Sequence, residues 1–187
     1  MTLRIAAAVV LLGLTSSLGA ASFDCARALS PVETLICATP TLSALDDELA
    51  ALYRSAPPAL AGSSERRQAQ RAWLQQRDRC TQAECLAALY EQRIAVLACE
   101  DDAALGSAIG AATCATARLR QRERELDARD AASPAERAAW RQARDRRCRR
   151  DAQAQGGAPG WQAATELQCE LAATEARLRG KAATPAR

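Results

Sequence analysis

The sequence predicts an all-α protein built from two tandem, disulfide-stapled units, each a small helical hairpin or three-helix unit. Leucines recur at spacings of three and four along residues 42–52, which is the pattern of an amphipathic helix. No segment alternates with period two, so strands are not expected. The order Trp-x-x-x-Arg-Asp, followed by Cys, occurs at Trp73 and again at Trp140, and this repetition indicates two related units.

The repeat extends well beyond the two tryptophans. Residues 85–93 align with residues 169–177 over the same length, and residues 37–53 align with residues 114–130. In the second copy arginines replace Leu45 and Leu52, so this helix has lost half of its apolar face.

The repeat also sets the predicted boundaries. We expect an export signal over residues 1–21, a first unit over residues 22–98, a diverged second unit over residues 99–180 and a flexible tail over residues 181–187. Units of this size with six aromatic residues in the whole chain bury little apolar surface, so they need cross-links.

Proline and capping residues predict where the helices of the first unit begin. Ser30 to Glu33 form a capping box that opens a short helix ending near Cys37, and Thr39-Pro40 opens the next helix. Residues 56–58 end it, and a polar loop over residues 62–64 follows. The second long helix is predicted to carry Trp73, Arg77 and Cys80 on one face. The third helix is expected to direct four apolar side chains toward the interior, namely Leu86, Leu89, Ile94 and Leu97.

The second unit shows the same signals with a thinner apolar stripe. Its first helix covers residues 114–130, and a capping box from Ser133 to Glu136 opens the helix that carries Trp140. A glycine-rich loop over residues 155–160 precedes the last stripe, which comprises Trp161, Ala164, Leu167, Leu171 and Leu178. We expect Trp73 and Trp140 to anchor cores and Trp161 to be exposed.

Residues 1–21 are typical of an export signal. Arg4 gives a positive start, residues 5–14 are apolar, and Gly19-Ala20-Ala21 offers the small residues that a signal peptidase reads. The mature chain is then predicted to begin at Ser22 and to be periplasmic or secreted. The alternative is an uncleaved membrane anchor. A lipid anchor is not expected, because Cys25 lies three residues too late.

Eight cysteines allow 105 pairings, which the repeat reduces by assigning four to each unit. Cys80 and Cys85 would lie about 7.5 Å apart along an unbroken helix, beyond disulfide reach, so we expect a turn over residues 81–83. The favoured pairs are Cys25 with Cys37, Cys80 with Cys85, Cys99 with Cys114, and Cys148 with Cys169. A four-cysteine zinc site is the disfavoured alternative in an exported chain.

Few residues suggest chemistry. The chain has no histidine, which excludes Ser-His-Asp and Cys-His catalysis and imidazole zinc ligands. The acidic cluster of Asp46, Asp47 and Glu48 has the groups for acid and base catalysis, but we interpret it as a solvated helix face. The arginines of residues 141–150 suit an anionic polymer, and here too a solvated face is favoured. No enzyme, cofactor or metal site is predicted.

The charge of the chain does not point to a strongly charged partner. The mature chain carries a net charge of +2, with −1 in residues 22–98 and +3 in residues 99–187. Neither half is charged enough to require nucleic acid or an anionic membrane.

Ordered motifs of the first unit resemble the LprI-type lysozyme-inhibitor domain, also known as a domain of unknown function. They are Phe23-Asp24-Cys25-Ala26, Pro31-Val32-Glu33, Leu35-Ile36-Cys37, Leu45-Asp46-Asp47-Glu48-Leu49 with Tyr53, and Gln70-Arg71-Ala72-Trp73-Leu74 with Arg77-Asp78. The resemblance covers nearly all of residues 23–97. The second unit is similar to a diverged member, in which Asp130 replaces Tyr53 and Glu123 replaces Asp46.

The resemblance implies an exported, helical envelope protein that binds and inhibits a lysozyme. Its signature and candidate binding residues are Asp46, Asp47, Glu48, Tyr53, Trp73, Arg77 and Asp78. The alternative is a structural or adaptor module that binds another envelope protein without inhibiting lysozyme. Animal lysozymes are strongly basic, so the net negative first unit suits such a partner better than the arginine-rich second unit does.

Overall fold

The computed structural model describes residues 21–180, and within this range the protein is helical with no strand, which confirms the predicted all-α class. Residues 1–20 of the predicted export signal and the predicted tail over residues 181–187 lie outside the described residues. Within residues 21–180 no helix combines the length and the apolar character needed to cross a membrane.

Helices occupy most of both predicted units. Those of the first unit are α1 (Pro31–Ala38), α2 (Pro40–Arg54), α3 (Pro58–Ala61), α4 (Ser64–Arg77) and α5 (Ala83–Ala98). Those of the second unit are α6 (Asp102–Leu105), α7 (Ala108–Arg129), α8 (Pro134–Gln155) and α9 (Pro159–Leu178).

Both predicted capping boxes are present and start α1 and α8. The Ser30 hydroxyl accepts a hydrogen bond from the Glu33 backbone N–H, and the Glu33 carboxylate accepts one from the Ser30 N–H. Ser133 and Glu136 make the same reciprocal bonds. Each box satisfies backbone donors that the first helical turn leaves without partners.

Two helix boundaries differ from the prediction. Because α4 ends at Arg77, Cys80 lies in the turn before α5 and not on the face of the helix, so that placement was wrong. In the second unit α7 is one unbroken helix, whereas the first unit breaks between α1 and α2 at Thr39-Pro40. Ala117 aligns with Pro40, so the backbone hydrogen bond that proline removes is kept there.

The three long helices of each unit have the same arrangement. In the first unit α2 and α5 run side by side in the same direction, and α4 crosses back beside them. The indole Nε1 of Trp73 on α4 donates to the Leu89 carbonyl of α5 at 3.2 Å. In the second unit α7 and α9 run in the same direction, and ion pairs join α8 to both, through Arg141 to Asp127 and through Arg149 to Glu166.

The main apolar core lies in the first unit. Its most buried large side chains, each no more than 1% exposed, are Ile36, Leu42, Leu86, Tyr90 and Ile94. Ala117 of α7 joins this cluster, so the second unit packs directly against the first. The interior of the second unit is poorer, with alanines beside Leu126, Thr174 and Cys148, while Leu167, Leu171 and Leu178 are only partly buried.

Four disulfides staple the described chain, with Cα–Cα distances of 4.9–5.8 Å. They join Cys25 to Cys37, Cys80 to Cys85, Cys99 to Cys114, and Cys148 to Cys169. These are the pairs that the repeat and the helix geometry favour. They leave no thiolate for the four-cysteine zinc site.

Candidate functional site

A cleft of about 200 Å³ lies between α2 and α4 of the first unit. We call it the α2–α4 cleft, and its lining includes Ser22, Asp46, Tyr53, Gln70, Trp73 and Arg77. Four of the seven predicted binding residues therefore meet in one place, although they come from two helices.

The floor of the cleft is a buried carboxylate. Asp46 is 5% exposed, and its two oxygens accept 2.7 Å hydrogen bonds from the Tyr90 hydroxyl and the Ser22 backbone N–H. Burial raises the pKa of Tyr90 well above its usual value, and the bond to Asp46 raises it further. Tyr90 is therefore a neutral donor at any physiological pH, and it holds the Asp46 side chain in place.

The α4 wall of the cleft is aromatic and cationic. Trp73 is 8% exposed, and its ring meets Tyr90 edge-on with centroids 5.1 Å apart. The Arg77 guanidinium lies 5.8 Å from the Trp73 ring centroid and donates to Asp78 at 2.7 Å. Burial lowers the pKa of Arg77, but the bond to Asp78, the negative charge of Asp78 and the contact with the Tyr90 hydroxyl outweigh it, so the net shift is upward. Arg77 remains a cation.

Two buried arginines contact residues that line the cleft. Arg66 stacks 4.5 Å from the Tyr53 ring centroid, donates to the Tyr53 carbonyl at 3.2 Å and pairs with Glu100 at 3.0 Å. Arg93 donates from Nε to the Gln70 side-chain oxygen at 3.2 Å. Desolvation lowers the pKa of Arg93, and the nearby positive charge of Arg66 acts in the same direction. These contacts fix the orientation of two residues that line the cleft.

The acidic cluster was misinterpreted as a solvated face. Asp46 is buried because it lies four residues after Leu42 and three before Leu49, which places it on the buried stripe of α2. Glu48 lies outside the α2–α4 cleft and pairs with Arg120 of α7 at 2.9 Å. Asp47, which is half-buried, and the exposed Asp78 do not line the cleft either.

The solvated-face interpretation also fails for one arginine of residues 141–150. Arg144 has a side chain that is 4% exposed, and it bonds to Glu123, Asp145 and Thr174 at 2.7–2.8 Å. The predicted environments of Trp73 and Trp161 are confirmed, but the prediction that Trp140 anchors a core was wrong. Trp73 is a core residue, Trp140 is half-buried, and Trp161 is 45% exposed.

Three polar residues that line the cleft, Ser22, Arg54 and Gln70, were not among the predicted binding residues, and neither was Tyr90, which bonds to Asp46 without lining the cleft. Ser22 and Tyr90 hold Asp46, and Arg54 lines the rim at the end of α2. The spacing of Asp46 from Leu42 and Leu49 was a usable signal for a buried acid, and a buried acid requires a donor. The identity of that donor depends on how α5 packs against α2, which local spacing does not specify.

Comparison with known families gives a match within the first unit. The family described as Lysozyme inhibitor LprI matches residues 25–97. The match includes both disulfides of the first unit and every cleft residue named above except Ser22. Neither the curated proteins nor the solved structures give a match. Residues 25–97 of this chain, which contain the helices of the α2–α4 cleft, are therefore similar to the LprI lysozyme-inhibitor family.

Proposed function

We propose that this chain is an exported binding protein, not an enzyme, and that its first unit inhibits a lysozyme by occupying the active-site groove of that enzyme. The observation that carries the proposal is the family match over residues 25–97, which coincides with the unit that holds the cleft. The second unit lies outside the match, and we propose that it is a diverged copy that buttresses the first.

Export is supported by the cysteines as well as by the predicted signal. All eight are paired in the described chain, and disulfides persist in oxidising compartments such as a periplasm. Removal of residues 1–21 would start the mature protein at Ser22.

The packing of α7 favours the α2–α4 cleft as the contact surface. Arg124 of α7 makes a two-pronged bond to Glu91 of α5 at 2.6 and 2.7 Å, and Arg120 pairs with Glu48 of α2. These pairs cover the opposite side of the first unit. The side formed by α2 and α4 carries the cleft and the signature residues that line it.

The rim of this cleft has the chemistry that a lysozyme groove would accept. Lysozymes act through two carboxyl groups, and arginine and amide N–H groups are suitable donors to them. Arg54 is exposed, and among the described residues it has no ion-pair partner. Gln70 is already positioned by Arg93. Neither group needs to break an ion pair in order to bind.

The test is the rate at which lysozyme clears a cell-wall suspension in the presence of the oxidised mature protein. Arg54→Ala and Gln70→Ala should each weaken inhibition by about fivefold or more, the range of a contact worth about 1 kcal/mol. Arg150→Ala removes the same charge as Arg54→Ala from the exposed surface of α8, and it should leave inhibition unchanged. Equal effects of both arginine changes would rule out the cleft as the contact surface.

The adaptor alternative is favoured by one apolar surface of the second unit. Trp161 is 45% exposed and Ile109 is 82% exposed, at the starts of α9 and α7. These starts touch, because a Cβ on Gly160 would lie 3.3 Å from Ala108. Undiminished lysis by several lysozyme classes at a several-fold molar excess of mature protein would favour the adaptor function over inhibition.

A further inference from the structure

The backbone at Ser22 makes a contact that the proposed function does not use. Ser22 is the first residue of the predicted mature chain, and its nitrogen lies 2.7 Å from Oδ2 of Asp46, 24 residues further along. Asp46 is 5% exposed, and its Oδ1 accepts a 2.7 Å bond from the fully buried Tyr90. The predicted start of the mature protein is thus joined to a buried carboxylate of α2.

This carboxylate has no cationic partner in the described chain. Tyr90 is neutral, and the Ser22 nitrogen is an amide because Ala21 precedes it. Arg77 lines the same cleft but pairs with Asp78, and no ion pair among residues 21–180 includes Asp46. Burying a carboxylate without an opposite charge is unfavourable, so this position is suited to a cation.

We propose that Asp46 is the receptor for the α-ammonium group that export creates at Ser22. During cleavage, water adds to the Ala21 carbonyl carbon and the Ala21–Ser22 amide bond breaks. Ala21 leaves with a carboxylate, and the Ser22 nitrogen becomes an ammonium group at neutral pH. The amide N–H in the structure occupies the position of that ammonium, which keeps the same donor atom and adds a positive charge. The inference rests on the export proposed above.

Processing would then complete the cleft. Ser22 and Asp46 both line it, so their ion pair fastens the N-terminal segment against α2. The disulfide from Cys25 to Cys37 ties the same segment to α1 three residues later. A charged hydrogen bond is about twice as strong as a neutral one, so the ammonium should stabilise the first unit more than an uncharged amide N–H at Ser22 does. Ala21 is 6% exposed and belongs to the core cluster, so a peptidase would reach the Ala21–Ser22 bond more readily before the chain folds.

The charge can be isolated by comparing two forms of the mature protein. One form carries a free Ser22 amine, exposed by cutting an N-terminal fusion, and the other carries an acetylated Ser22, which keeps the amide N–H. The free form should melt higher by about 2–8 °C, and the difference should vanish in the Asp46→Asn background. Equal melting temperatures with Asp46 present, or an undiminished difference in Asp46→Asn, would overturn the proposal.

A second measurement leaves Asp46 unchanged, in case its substitution prevents folding. The chain contains one lysine, Lys181, so in a Lys181→Arg variant the Ser22 amine is the only amine. An amine-specific reagent should label it about tenfold more slowly in the folded protein than in denaturant, because the ion pair lowers the fraction of free amine. Equal labelling rates would refute the receptor role.

The cleavage before Ser22 and the contact of the new amine with Asp46 can be tested separately. The intact mass of protein isolated from the periplasm should correspond to a chain that starts at Ser22. Any other N-terminus would refute the processing step. The melting and labelling comparisons use protein whose N-terminus is set by the fusion, so they test the Asp46 contact whatever the natural cleavage site is.

Discussion

The two predicted units have the same arrangement of long helices but differ in what fills their interiors. The first unit buries Ile36, Leu42 and Ile94 around the ring of Tyr90. The second unit buries mostly alanine and holds its helices together with ion pairs around Arg144. Both units bury polar groups, among them Asp46 and Arg66 in the first and Arg144 in the second, but only the first surrounds them with large apolar side chains.

Positions that the sequence repeat aligns make this difference concrete. Where the first unit has Asp46, bonded to Tyr90, the second has Glu123 paired with Arg144 at 2.7 Å. Where the first unit has Tyr53 on the cleft rim, the second has Asp130, which pairs with Arg177 at 2.6 Å. The aligned positions of the second unit are thus engaged in ion pairs. This is a physical reason to place binding in the first unit.

The tryptophans should show the largest difference between the units. Trp73→Ala should cost about 3–5 kcal/mol, because it removes a buried ring packed against Tyr90. Trp140 is half-buried between Arg144 and Arg177, with ring-centroid distances of 5.3 and 4.6 Å. Trp140→Ala should cost about 1–2 kcal/mol, from the loss of two cation–π contacts to a half-buried ring. Urea unfolding measures both, and equal losses would contradict the contrast in packing.

Removal of a disulfide should destabilise the second unit more than the first, which is the reverse of the order expected for the tryptophan changes. The bridge from Cys148 to Cys169 closes a loop with a sequence separation of 21, against 5 for the bridge from Cys80 to Cys85. The entropic model then gives losses of about 3 and about 2 kcal/mol for the paired Cys→Ala changes. Partial reduction followed by hydrogen exchange should show α8 and α9 opening first. Earlier opening of α4 and α5 would indicate that the apolar core does not protect the first unit.

Acidification should also loosen the second unit first. The bond from Arg177 lowers the pKa of Asp130, and bonds from Arg129 and Arg122 lower that of Glu125. A carboxyl group with a lowered folded pKa stabilises the fold above its unfolded pKa, and that contribution is lost as pH falls through the folded pKa. Hydrogen exchange in α7–α9 should therefore accelerate below about pH 4, ahead of that in α2 and α5. Simultaneous acceleration would show that these ion pairs contribute little.

The smallest expected effect is a gain in folding stability. Burial raises the pKa of Glu170, and the negative charge of Asp145 raises it further, against the opposing effect of Arg144. A raised folded pKa means that the ionised carboxylate destabilises the fold above that pKa, so Glu170→Gln should stabilise the protein slightly at pH 7. The gain should disappear at pH 3, where the carboxyl group is protonated in both the folded and unfolded chains. A loss at pH 7 would mean that Arg144 depends on this charge.

Much of the fold was predictable because its signals are local. Capping boxes at Ser30 and Ser133 fix where two helices start, and the repeat favoured the cysteine pairs that the structure contains. The burial of Asp46 and Arg144 was missed, since both depend on partners that lie 44 and 30 residues away, Tyr90 and Thr174. Charged residues in a run suggest a solvated face unless the packing of neighbouring helices is known.

The central claim is that lysozyme binding resides in the first unit at the cleft between α2 and α4. Hydrogen exchange of the mature protein, alone and in a complex with lysozyme, tests this most directly. We predict that lysozyme slows exchange in residues 46–77 and leaves α8 unchanged, with matching protection around the catalytic groove of the enzyme. Protection centred on α8 or α9, or no protection at saturating lysozyme, would contradict the account.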